Sequence, residues 1–259
     1  MANPLYGSNK FDELAARVIG DTASADGGVF RFEDVPLISD HGGVNTASYV
    51  HQYDDGLKLI CQNIGTQTAG TANVVATSAG INYSMDGADD EGMQWCLADP
   101  NAKGVWKGPG IQKYFVGSAA FFAKLTFSIA DVSDTDDCAF GFRKVEAFQA
   151  NVDDYDEMAC MNVISGDINS ETIINGASTV STDLTAPSSG DWADGAVHSL
   201  KVKVAADGAV TYELDGTAPT GAVAYSFDDG EVVTPFFFFL HAAASSAGVV
   251  LHSFEHGRQ

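Results

Sequence analysis

Residues 191–216, DWADGAVHSLKVKVAADGAVTYELDG, leave little choice of secondary structure. His198, Leu200, Val202 and Val204 fall on one face of an extended chain, and Ser199, Lys201 and Lys203 fall on the other. That period of two belongs to a strand, since a helix would scatter both sets around its axis. Asp207-Gly208 supplies the positive-φ turn, after which Val210, Tyr212 and Leu214 resume the alternation until Asp215-Gly216 turns again. An antiparallel pair with one apolar face is not stable alone and needs a second layer to cover it.

The same texture fills most of the chain. Residues 48–53, 57–62, 73–77, 93–97, 120–129, 139–142 and 158–164 are short, apolar or alternating, and separated by Gly, Asp or Asn clusters. Regular short strands of this kind predict an all-β sandwich or barrel, and no segment after residue 40 supports a long helix. Residues 1–40 differ. Asn9 can cap a short helix with an apolar stripe of Phe11, Leu14, Ala15, Val18 and Ile19, ended by Gly20. So short a helix must dock on its own β domain or on a neighbouring subunit. The expected organisation is therefore an N-terminal arm over 1–40 and a β-sandwich over 41–259.

Residues 235–240, PFFFFL, are the most apolar stretch. Successive strand residues point to opposite faces, so four phenylalanines in a row need cover on both. One face packs in a sandwich core. The other is covered either from within the chain or by another subunit, and Phe237 and Phe239 join Phe11, Leu14, Val18 and Ile19 as candidate contact residues.

Thirteen Lys and Arg against 35 Asp and Glu give a formal charge of −22. Such a surface repels phosphate backbones and anionic lipid, so neither nucleic acid nor membrane is an expected partner. The four cysteines are widely spaced, with no Cys-x-x-Cys, which predicts buried thiols in a chain assembled in cytoplasm. The first 20 residues lack the order of a signal peptide, and no apolar run approaches a membrane span.

Catalytic signatures are missing. There is no Gly-x-Ser-x-Gly elbow, phosphate loop or dinucleotide fingerprint. The acidic clusters at 131–137 and 153–157 read as solvated loops. Calcium is their functional alternative, although neither fits the helix-loop-helix pattern. His252 and His256 are four apart on what reads as a strand, a spacing that suits a metal only on a helix, and His198 reads as a packed, hydrogen-bonded core histidine. No catalytic residue, metal ligand or cofactor is assigned. Among aromatic residues able to stack on a sugar, Trp95, Trp192, Tyr83 and Tyr155 have packing roles open to them, which leaves Trp106, in the loop NAKGVWKGPG, as the candidate sugar platform.

The order Trp, Asp-Gly, His-Ser-Leu, strand, Asp-Gly, strand, Asp-Gly in residues 191–216 resembles the late strands of concanavalin A-like (laminin-G-like) jelly rolls. That resemblance implies two stacked antiparallel sheets. Glucanases of this fold carry Glu-x-Asp-x-x-Glu on one strand, and this chain lacks it. The opening MANPLYGSNKFD, with FVGSAAFFAKLTFSIADVSD, AFGFRKVEAF and DYDEMACMNVISGDINSETIINGAS, is similar to jelly-roll proteins that decorate the heads of marine tailed phages. It implies a virion cement protein, assembled in the host cytoplasm, that binds the major capsid protein as a homotrimer. The alternative is a carbohydrate-binding, lectin-like module, and a glycoside hydrolase or polysaccharide lyase ranks behind both.

Overall fold

The computed structural model describes residues 28–31, 37–39, 49–53, 58–65, 74–77, 80–83, 88–98, 113–184, 192–245 and 247–259. Among these, one 3-10 turn (Val152–Asp154) is the sole helical element, and the other elements are strands. In chain order they are β1 (Gly28–Arg31), β2 (Leu37–Ser39), β3 (Tyr49–Tyr53), β4 (Lys58–Ile64), β5 (Val74–Thr77), β6 (Gly80–Tyr83), β7 (Gly92–Cys96), β8 (Tyr114–Phe115) and β9 (Phe121–Ile129). There follow β10 (Thr135–Lys144), β11 (Met158–Ile164), β12 (Asp167–Ile173), β13 (Val180–Asp183), β14 (Val197–Val204), β15 (Val210–Leu214), β16 (Val232–His241) and β17 (Val249–Arg258).

They form two antiparallel sheets. Among the described residues the first runs β15-β14-β9-β17-β6-β5 with β1 also on β17, and the second runs β13-β12-β11-β10-β16-β7-β4-β3-β2 with β8 beside β16. The β14–β15 hairpin pairs Val204 with Val210, Val202 with Tyr212 and Leu200 with Leu214. Leu200, Val202, Val204, Val210 and Tyr212 are buried, while Lys203 reaches across the outer face to Glu213. Alternation along the strand thus became burial of one face, as hydrophobic patterning requires.

The core between the sheets is aromatic. Phe121, Leu125, Phe127 and Phe254 come from the seven-stranded sheet and meet Trp95, Phe140, Phe142, Phe237 and Phe239 from the ten-stranded one. Trp95 stacks on Phe237 at 5.8 Å and meets Phe254 edge-on at 5.4 Å. Each fully buried ring of this size contributes about 1.5–3 kcal/mol by transfer from water. Phe237 and Phe239 are therefore interior residues, and their expected role as subunit or capsid contacts is corrected here. The parity of β16 turns the odd-numbered phenylalanines inward. Phe236 and Phe238 face the other way and are buried too, in a second cluster with Val152 and Tyr155. Cover for both faces comes from within the chain.

Of the cysteine and histidine expectations, one is revised. The four cysteines are buried thiols without disulfides, as expected. His198, by contrast, is half-buried at the sandwich rim, with Nδ1 2.7 Å from Asp215 Oδ2 and its ring against Trp192. A bulge between Leu251 and Ser253 separates the two C-terminal histidines. His252 approaches Ser128 Oγ at 3.3 Å on the outer face, whereas His256 is buried inside, 2.6 Å from the Tyr114 hydroxyl. They share no ligand geometry.

Candidate functional site

The outer face of the ten-stranded sheet carries an apolar cluster and, beside it, a polar group. Over β4, β7 and β16 it is apolar, presenting Ile60, Cys96, Phe236, Phe238 and Leu240. Residues 145–157 fold back over it and bury Val152 and Tyr155 there. Polar groups fix that roof in place. The Tyr155 hydroxyl donates to Gln94 Oε1, and the Gln94 amide donates to Gln149 O at 2.6 Å and to Gln62 Oε1 at 3.2 Å. The Arg143 guanidinium lies under the Phe148 and Tyr155 rings, at 5.3 and 4.4 Å from their centroids. Its Nη1 donates to the carbonyls of Lys144 and Glu146. Burial pushes the Tyr155 hydroxyl up to about 12, so it stays a neutral donor at physiological pH.

Over β10–β13 the same face is mixed: Ala139, Met158, Cys160 and Ile173 belong to that apolar cluster, and polar groups gather beside them. Cross-strand pairing sets Asn162 beside Asn169, Asn169 beside Asp183, and Glu171 beside Ser181. Asn162 is fully buried and organises the group. Its Oδ1 accepts from the Cys138 N–H at 2.9 Å, which orients the amide so that Nδ2 donates to Asp137 Oδ1 at 2.6 Å and to Glu171 Oε2 at 2.8 Å. Two N–H bonds diverging from one nitrogen hold the two carboxylate oxygens about 5 Å apart. Asp137 reaches this position by the regular alternation of β10, in which Cys138, Phe140 and Phe142 point inward, and it is the first residue paired with β16 after a bulge between Thr135 and Asp137.

The electrostatics follow from that placement. Desolvation, with Glu171, Asp136 and Asp153 close by, pushes Asp137 up to about 7 against the opposing hydrogen bond from Asn162. Desolvation also raises Glu171, opposed by hydrogen bonds from Asn162 and Ser181. Asp153, on the 3-10 turn beside the group, accepts from Thr179 Oγ1 at 2.7 Å. The result is a patch of fixed acceptors and amide groups, Asp137 half-buried and Ser181 and Asp183 exposed, with no cation in it. Hydroxyl groups suit such a surface; anions do not. Among the described residues, no group of three or more His, Cys, Asp or Glu side chains is arranged to hold a metal ion.

The residues singled out from sequence are placed differently. Trp106, Phe11, Leu14, Val18 and Ile19 lie outside the described residues. Trp95, Trp192, Tyr83 and Tyr155 are buried. The acidic stretch 131–137 is a loop only in its first half, because β10 begins at Thr135 and carries Asp136 and Asp137. Asn162 and Glu171 were not anticipated. The one signal for the former is a lone amide within the apolar run MACMNVI.

No protein-family model and no curated protein matches the chain. Solved structures do. A protein of unknown function from Shewanella oneidensis MR-1 aligns over 99% of this chain and 95% of its own, with a TM-score of 0.53 and 10% identity. An immunostimulatory antigen and pseudo beta-1,3-glucanase of Mycobacterium tuberculosis aligns over 91% of this chain and all of its own, with a TM-score of 0.52 and 11% identity. The potassium-bound carbohydrate recognition domain of Emp46p aligns over 77% and 88%, with a TM-score of 0.51 and 10% identity. The fold is a concanavalin A-like jelly roll. At these identities the likeness is one of architecture.

Proposed function

We propose that the chain is a lectin-like carbohydrate-binding module whose ligand lies on the polar group of the ten-stranded sheet. The observation that carries this reading is the buried Asn162 amide holding the half-buried Asp137 and the buried Glu171 together, next to the half-buried Asn169 and the exposed Ser181. Carboxylates and amides fixed in this way before a ligand arrives accept and donate to adjacent sugar hydroxyls at little ordering cost. The likeness to the carbohydrate recognition domain of Emp46p and to the pseudo beta-1,3-glucanase is consistent with it.

Binding without cleavage is the form favoured. A carboxylate pair about 5 Å apart matches the spacing of a retaining glycosidase, but that chemistry needs one group ionised and the other protonated. Here both carboxyls are raised, and both lean on the same amide nitrogen. Their environments do not divide the roles. Decoration of a phage head rests on sequence resemblance alone. A glycan-binding sandwich carried on a virion would satisfy both.

The test is a glycan array followed by calorimetry on any hit, using the wild type, Asp137→Asn and Glu171→Gln. Saturable binding that falls at least tenfold in both variants is the expected result. An array without hits, or affinity unchanged in both variants, refutes the assignment of this face, and release of new reducing ends from the bound glycan refutes binding without turnover.

A further inference from the structure

Between β12–β13 of one sheet and residues 223–226, which bond to β15 of the other through Val210 N–H and Tyr225 O at 2.9 Å, lies a groove of about 280 Å³. Thr172, Ile174 and Val180 form one wall, and Val223 and Tyr225 form the other. The Tyr225 hydroxyl donates to Ile173 O at 2.8 Å and its ring meets Phe227 edge-on at 5.0 Å, so the second wall is held in place before anything binds. Only five large apolar side chains are exposed among the described residues, and three of them, Ile174 (43%), Val180 (49%) and Val223 (45%), line this groove. Walls this open do not enclose a small ligand, but they can take the apolar part of a side chain from a larger one. Val180 pairs with Thr172 and Ser181 with Glu171, so the groove lies on the opposite face of β12 and β13 from the carbohydrate site.

Charge selects the occupant. No lining residue is charged, but carboxylates surround the lining. Thr179, between the lining residues Ser178 and Val180, donates to Asp153 Oδ1 at 2.7 Å. The turn before it touches Asp156: Gly176 N–H donates to Asp156 O at 2.8 Å, and a β-carbon on Gly176 would lie 3.3 Å from Asp156 Oδ1. Burial raises the pKa of the Tyr225 hydroxyl, and the charges of Glu157, Asp228 and Glu231 raise it further, which sets those three carboxylates near the second wall. Glu157 is 1% exposed, and its Oε2 has no hydrogen-bond partner. Against these five carboxylates the one cation paired with any of them, among the described residues, is Lys144, 2.8 Å from Asp156 and 3.8 Å from Glu231. An apolar groove with an acidic rim fits a lysine or arginine side chain, whose methylene stem lies on the valines while its head reaches the carboxylates. Phosphate, anionic lipid and a second copy of this chain, itself at −22, meet the same rim with the wrong sign.

We propose that this groove docks a basic segment of a partner protein, with an apolar residue between Val180 and Val223 and flanking lysines or arginines on the acidic rim. The site does not rest on the carbohydrate reading. Fluorescence anisotropy of three labelled peptides, KKLFKK, KKGSKK and EELFEE, at about 0.15 M salt tests it with the full chain. KKLFKK should bind saturably, at least tenfold tighter than either comparator, and about tenfold weaker at about 0.5 M salt as the charges are screened. Val180→Lys and Val223→Lys should each weaken it at least tenfold. Val197→Lys should not, because Val197 is no less exposed but lies on β14, away from the groove. Should the groove variants misfold, hydrogen exchange on the wild type decides, since KKLFKK should slow the amides of 174–180 and 223–226. Equal binding of KKGSKK, which is contact with the acidic surface at large, or equal binding of EELFEE, which is a groove blind to charge, overturns the proposal. So do an affinity untouched by both folded groove variants, protection confined to other segments, and a dimer of the protein alone that the groove variants dissociate.

Discussion

Replacing Asp137 with asparagine should stabilise the protein above pH 7 and leave it unchanged near pH 4. The Asp137 carboxyl has a folded-state pKa of about 7 against 3.8 ordinarily. Between those values the folded state binds the proton more tightly than the unfolded chain, so wild-type stability declines as pH rises through that window. Each pH unit is worth about 1.4 kcal/mol, which sets a ceiling of about 4 kcal/mol. Asp137 is half-buried and retains its bond from Asn162, so a penalty of about 2–3 kcal/mol is expected to be relieved. Asparagine keeps an acceptor for Asn162 and removes the charge next to Glu171. Urea unfolding of both proteins at pH 4, 6 and 8 measures the difference, with the titrating groups that do not interact with Asp137 cancelling. A gap that grows from near zero to about 2 kcal/mol supports the reasoning. A gap independent of pH, or a variant weaker than wild type at pH 8, refutes it. Combined with loss of sugar binding, the same substitution would show stability given up for function.

Further expectations follow from the interior. His256, held neutral by burial with its pKa down to about 3, binds its proton in the unfolded chain from pH 6.5 downward but not in the folded one. Stability should therefore fall as pH drops through that window, and the double change Tyr114→Phe with His256→Phe should flatten the acid limb of an unfolding profile. Phe237→Ala should cost about 3–5 kcal/mol by cavity formation, read as a lower urea midpoint. Gly166 closes the β11–β12 turn at φ +94° after Ser165 at +48°, so Gly166→Ala should cost about 1–2 kcal/mol in the same assay. Far-UV circular dichroism should show strand with helix below about a sixth of the residues.

The sheets were legible where one face of a strand is buried. Residues 158–164 were read at their observed limits, and the β14–β15 hairpin was read through its Asp-Gly turn, because alternation and turn chemistry both act locally. β12 was overlooked for the complementary reason. Its sequence DINSETI buries Ile168 inward but shows Asp167, Asn169 and Glu171 outward, and a strand polar on one side and mixed on the other lacks the contrast that periodicity detects. Its Ser165-Gly166 turn was the available clue.

Cover for Phe236 and Phe238 could not be decided from sequence, because what covers them is a loop folding back from 145–157, and loop paths leave no periodic trace. The candidate site was hidden by its geometry. Asp137 and Glu171 lie 25 and 9 residues from Asn162 in the chain, one on each flanking strand. Reading along a strand pairs residues two apart; it does not reveal which side chains meet across three strands. Alternation within β10 does set Asp137 outward, opposite Cys138, Phe140 and Phe142, but nothing along that strand shows that it meets Asn162. Conversely, Asn162 was visible: a fully buried amide in an apolar strand must have partners, and seeking acceptors on both neighbouring strands leads to the two carboxylates.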